Sequence, residues 1–167
     1  MMHKSLSLLA ALFVFAAIVS PVWGVSQAPD KGLNSKGKAE HLYLLQKDPA
    51  DWTIVENGAW GKLTYLAGSG KFIFNGHNLT PGADYALIYY PDPWPGMNLA
   101  VFGNSTSDEY GDVHIAGTFD FTTIPNEGDL NYPEAKIWLV LTADQDGTKM
   151  TGWNPTEYLF EYAMVTF

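Results

Sequence analysis

The stretch Asp112-Val113-His114-Ile115-Ala116-Gly117-Thr118-Phe119-Asp120-Phe121 decides how the chain is read. Val113, Ile115, Gly117 and Phe119 alternate with Asp112, His114, Ala116, Thr118 and Asp120. A period of two places one set on a buried face and the other in water, which is the signature of a half-buried strand. Outward from it, the same kind of short apolar run recurs, punctuated by Gly, Pro, Asn and Asp. Strands are predicted near 41–47, 59–67, 71–75, 84–90, 98–103, 112–121, 135–142 and 158–166, with a shorter one from Trp52 to Val55. The connectors carry turn chemistry at Asn57-Gly58, Gly68-Ser69-Gly70, Asp146-Gly147 and Pro91-Asp92-Pro93-Trp94-Pro95-Gly96. Regular spacing of short strands with no helical repeat predicts one all-β domain. Its expected form is a single antiparallel β-sandwich of about eight strands with Greek-key, immunoglobulin-like connections.

Within that frame Ile137 to Leu141, apolar at every position, is expected to be a central strand. The last strand is expected to run to the C-terminus inside the fold, and Trp138, Tyr43 and Tyr162 are expected in the core. Glu161 breaks the apolar parity there, and reads as an edge position or as a partner for Lys136 or Lys149.

Residues 1–24 have the layout of a cleaved secretory signal: Lys4, an apolar run from Leu6 to Val19, then Ser20, Pro21 and a short stretch ending at the small residue Gly24. The run is shorter than the roughly 20 residues a spanning helix needs, so an uncleaved membrane anchor is the weaker alternative. Residues 25–39 are polar and rich in Ser, Gly, Asn and Lys, which reads as a spacer before a domain over 40–167. The expected location is secreted or associated with the cell envelope.

Composition excludes much. The 167 residues carry 9 basic and 18 acidic side chains, and all nine basic ones are Lys. Loss of residues 1–24 removes Lys4 and no acid, leaving 8 against 18 and a charge of −10. Such a domain lacks the positive footprint and guanidinium forks that nucleic acid demands. The absence of Cys removes disulfides, thiolate metal sites and thiol nucleophiles. No Gly-x-Ser-x-Gly elbow, phosphate loop, His-Glu-x-x-His or dinucleotide fingerprint occurs, so neither an enzymatic activity nor a cofactor is expected.

The segment Leu79-Thr80-Pro81-Gly82-Ala83-Asp84-Tyr85 resembles the turn before the tyrosine corner of fibronectin type III and related immunoglobulin-like sandwiches. That resemblance implies a structural role for Tyr85, its hydroxyl bonding back to upstream backbone. The match covers about seven residues, and this chain continues for three or more strands beyond it where the family's domain ends sooner. A longer pattern runs from Lys47-Asp48-Pro49 and Trp52, through the Pro-Trp-Pro loop, to Gly152-Trp153-Asn154-Pro155-Thr156-Glu157-Tyr158. It is similar to small exported domains of unknown function associated with methanogenic archaea, and implies export and one compact domain but no site.

The aromatic supply is the most informative chemical feature. Trp94 lies among Pro91, Pro93 and Pro95, and Trp153 stands next to Asn154 and Pro155. A rigid indole beside polar groups suits stacking on a sugar ring or docking on a protein surface. Trp94, Trp153, Tyr90, Asp92 and Asn154 are therefore the expected ligand-binding patch, for an extracellular glycan or protein. The bland alternative is that both indoles cap the ends of the sandwich. A structural envelope or filament subunit is a second function, and a metal-binding extracellular protein a third. For copper or zinc the donors would be Asp112 and His114, with His77 or Met97 from elsewhere, against a plain solvated pair. For calcium they would be Asp144 and Asp146, against a plain hairpin turn. Asn104, in Asn104-Ser105-Thr106, is the better glycosylation acceptor, expected in a loop; Pro81 weakens Asn78-Leu79-Thr80.

Overall fold

A computed structural model describes residues 39–66, 68–124 and 135–164. The signal and nearly all of the spacer, like the outer ends of the second and last strands, lie outside the described residues. Among the described residues eight strands form two antiparallel sheets: β1 Glu40–Leu45, β2 Trp60–Leu66, β3 Lys71–His77, β4 Asp84–Tyr90, β5 Ala100–Thr106, β6 Val113–Thr118, β7 Lys136–Leu141 and β8 Phe160–Glu161. One sheet has the order β6-β3-β2-β1-β8 and the other β5-β4-β7. The chain leaves the large sheet after β3, makes the β4–β5 hairpin, and returns so that β6 pairs with β3, a Greek-key return. Three short 3₁₀ turns complete the described elements, and no described helix is long and apolar enough to cross a membrane.

Alternation builds the core. Leu42 and Leu44, Leu63 and Tyr65, Phe72 and Phe74, and Val113 and Ile115 face inward from the large sheet. Tyr85, Leu87, Tyr89, Phe102, Ile137 and Leu139 meet them from the small one. Phe74 fits because Gly61 stands beneath it; a Cβ there would lie 2.2 Å from its ring. In β6 the quoted pattern holds from Val113 to Ala116, with Val113 and Ile115 buried and His114 and Ala116 exposed; Gly117, expected on the buried face, is exposed, and Phe119 is half-buried beyond the strand.

The small sheet carries a second core on its outer face. Ala86, Ile88, Tyr90, Trp138 and Val140 pack there with Leu99, Met150, Tyr158 and Phe160. This is why β4 is buried at six consecutive positions, and it corrects the expectation for Ile137 to Leu141. That segment is β7, an edge of its ladder with β4 as the central strand. It is apolar throughout because both its faces are covered, and Leu159 bridges to Leu139 along its outer side.

The last strand is also corrected. Among the described residues of this segment only Phe160 and Glu161 pair with β1, after Leu159 has paired with β7, so it passes from one sheet to the other and Tyr158, Leu159 and Phe160 are all buried. Tyr162 turns outward, as does Tyr43, because Leu42 and Leu44 occupy the inward parity of β1. Tyr43 instead lies under its cross-strand neighbour Lys62, whose Nζ is 5.7 Å from the ring centre. The short strand at 52–55 is a single bridge, Lys47 to Ile54.

Candidate functional site: an aromatic cleft at the seam of the sheets

Where β7 and β8 bring the edges of the two sheets together, a cleft of about 850 Å³ opens to solvent. Its walls are Lys47, Trp52, Tyr90, Asp92, Trp94, Lys136, Trp138, Trp153, Phe160 and Glu161. The volume lies within the roughly 300–1,000 Å³ typical of small-molecule sites, and the lining of rings with a few charged groups is typical as well.

The floor follows from strand register. Tyr90 pairs with Lys136 and Ile88 with Trp138, so Tyr90 and Trp138 are diagonal neighbours on the outer face of the small sheet. Their rings stack at 3.9 Å and 9°. Phe160 meets the Trp138 ring edge-on at 5.1 Å. Asp92, two residues beyond Tyr90, forms an ion pair with Lys136. Burial lowers the Lys136 ammonium below its ordinary pKa, and the charge of Glu161 offsets part of that.

Three exposed indoles form the rim: Trp94 is 50% accessible, Trp52 48% and Trp153 42%, against 7% for Trp138. Trp153 is their hub, edge-on to Trp94 at 5.4 Å and 6.4 Å from Trp52. The Trp94 loop is fixed at both ends. Gly96 N–H donates to Pro93 at 2.8 Å and Met150 N–H donates to Pro95 at 2.8 Å. Gly96 has φ +70 with its Cα against the Tyr90 ring, where a Cβ would lie 2.4 Å away. Trp52 has φ +63, in the left-handed region that a bulky residue rarely adopts. Its N–H donates to Asp48 O at 2.7 Å, and this turn swings the indole edge-on to Phe160 at 5.1 Å.

Glu161 lies on the edge strand, as its broken parity suggests, and its cationic neighbours are Lys47 and Lys136. Its Oε2 accepts the Trp138 indole N–H at 2.5 Å. Burial raises its carboxyl pKa above the ordinary range, against lowering by a backbone hydrogen bond, the two lysines and the indole.

Four of the five ligand-binding residues expected from sequence, Trp94, Trp153, Tyr90 and Asp92, share this cleft. Asn154 does not. Its amide donates to Asp144 Oδ2 at 2.8 Å, and the Tyr158 hydroxyl donates to the same oxygen at 2.5 Å. Asp144 is buried, so the group meant for calcium serves as a scaffold behind Trp153, and burial together with this carboxylate raises the Tyr158 phenol pKa. Asp146 accepts from Thr148 N at 2.9 Å and Lys149 N at 3.0 Å inside its own exposed turn. Asp112 Oδ1 lies 2.9 Å from His77 Nδ1, and His114 Nδ1 lies 2.8 Å from Asn75 Oδ1, so each strand neighbour on β3 engages one of them. Met97 is in the β4–β5 loop of the other sheet. Among the described residues no three His, Asp or Glu side chains group as a metal site. Asn104 is exposed but belongs to β5, opposite Ala86, since its backbone is taken into the ladder rather than a loop. The Tyr85 hydroxyl accepts the Thr80 N–H at 3.3 Å.

Sequence reading passed over Trp52, Lys47, Phe160 and the cleft role of Trp138. Trp138 carries a signal only in retrospect: a Trp in an all-apolar strand whose outer face needs a cover. The three rim indoles come from three different connections, and only the crossing at 159–161 brings them together.

An all-β sandwich with an aromatic cleft at its seam is the class that fold and site define. Comparison of the chain with protein-family models, curated proteins and solved structures gives no match.

Proposed function

We propose that the chain is a secreted or surface-associated, non-catalytic recognition module that binds an extracellular ligand in the aromatic cleft. The observation that carries this reading is the grouping of Trp52, Trp94 and Trp153, each about half exposed, over a floor of stacked Tyr90 and Trp138. Exposed indoles cost solvation free energy that folding alone would remove by burying them, and contiguous apolar patches of this kind mark binding surfaces. Fixed loops hold these rings in place before a ligand arrives, which reduces the ordering entropy of binding.

The test is retention of the purified protein on the native cell envelope, beside Trp94→Ala and Trp153→Ala variants shown to be folded by circular dichroism. Retention of the wild type that falls in both variants is the expected result. No retention of the wild type, or equal retention of all three, refutes recognition through this cleft and turns attention to a structural subunit.

A further inference from the structure

The charged groups of the cleft narrow its ligand. Asp92 and Lys136 neutralise one another. Glu161 is opposed by Lys47, whose ammonium forms no ion pair among the described residues. Two carboxylates and two ammoniums leave the walls with no excess of either sign, although two of the five described lysines stand there. Over the whole chain the formal charge is −9.

An anionic ligand would find no surplus cation in the cleft and long-range repulsion from the domain. A cationic headgroup would gain from aromatic faces, but it would meet Lys47 and Lys136 in the wall, and the cleft is far larger than one ammonium group. A neutral polyol meets no such opposition. Its C–H faces can lie on indoles while its hydroxyls both donate to carboxylates and accept from an ammonium, each bond being charge-assisted.

Resting on the recognition reading above, we propose that the cleft takes a neutral glycan. A pyranose ring lies against the Trp94 and Trp153 indoles, with its hydroxyls shared between Asp92 and Glu161 as acceptors and Lys47 as donor. Trp138 sets the direction of the Glu161 carboxylate through its indole N–H, and is a positioning residue.

The test is titration of the protein, followed by Trp fluorescence and calorimetry, with neutral polysaccharides (β-glucan, galactan, mannan), polygalacturonate as the anionic probe and choline as the cationic one. The expected result is a fluorescence change with at least one neutral glycan. Its affinity is nearly constant between about 0.05 and 0.5 M salt, because no net charge is neutralised. Lys47→Met and Glu161→Gln are each expected to weaken it by about tenfold, the loss of one hydrogen bond to a charged group. Near-UV circular dichroism confirms that each is folded, and Asp92→Asn serves as a further variant. Binding of polygalacturonate or choline alone overturns the neutral-glycan proposal while leaving a recognition cleft. Neutral-glycan binding that all three polar variants retain overturns the polar assignment. No response to any probe overturns the proposal, and envelope retention then decides separately whether the recognition reading stands.

Discussion

Trp52 is where stability and the cleft conflict most directly, and substitution there has an unusual expected order. At φ +63 a side chain pays for a backbone conformation that only glycine adopts freely, at a cost of about 1–3 kcal/mol. The indole is 48% accessible, so about half of a Trp side chain, roughly 100 Å², is packed against Phe160 and Trp153. At 25 cal/mol per Å² that packing stabilises by about 2.5 kcal/mol, which both Trp52→Ala and Trp52→Gly forfeit. Ala keeps the backbone strain. Gly relieves it, at an unfolded-state entropy cost of about 0.4–1 kcal/mol. Trp52→Gly is therefore expected to be more stable than Trp52→Ala by about 1 kcal/mol, the reverse of the usual order in strands and helices. Urea denaturation followed by far-UV circular dichroism measures both, with the midpoint difference read at equal slope. A glycine variant equal to or less stable than the alanine variant would show that no strain is held at position 52. The placement of the indole by that turn would then be wrong.

Glu161 and Asp144 give two further expectations. Burial raises the folded-state pKa of Glu161 above its unfolded value, so the folded chain binds more protons than the unfolded chain between the two values. Its contribution is fully present below the unfolded carboxyl titration and is lost as pH rises through the folded value. Glu161→Gln, still an acceptor for the Trp138 indole, should flatten that fall, with thermal melts of the two proteins diverging in favour of the variant toward pH 8; convergence there would contradict the direction of the shift. Asp144→Ala leaves the Tyr158 hydroxyl and the Asn154 amide without their shared acceptor and should cost about 3 kcal/mol. Asp146→Ala, in an exposed turn, should cost clearly less, and equal losses in urea titrations would deny Asp144 its scaffold role.

Local period carried the architecture far. The alternation depends only on one face being wet, and β6 lies at an edge of the large sheet with its outer face exposed, so the pattern is clean over 112–116 and fades at Gly117. Alternation was silent where both faces are covered. Tyr85 to Tyr90 and Ile137 to Leu141 read as continuous apolar runs, and such a run cannot say whether the strand is flanked by two ladders or by two cores. Here it is the latter for β7. The misplaced Tyr43 has a different cause, since aromatic size suggested burial while the parity of Leu42 and Leu44 already assigned it outward. The loop aromatics were legible singly, because prolines around Trp94 and the short polar run after Trp153 left each ring few ways to be buried. Their grouping was not, because it depends on contacts between connections about 60 and 100 residues apart.

That grouping has a physical origin in the shortness of β8. A full last strand along β1 would carry alternating side chains over the seam and close it. Instead the chain pairs with β7 at Leu159, crosses, and pairs with β1 for two residues. The crossing spends Tyr158 and Phe160 on the outer core of the small sheet and leaves Glu161 beneath the Trp138 indole with two lysines beside it. The outer core therefore both stabilises the small sheet and forms the floor of the cleft. Substitutions that enlarge the floor, such as Phe160→Ala, must lower stability along with any binding. Those at the rim, Trp94 above all, can separate the two, which is why the rim indoles and the polar trio are the positions on which recognition is best tested.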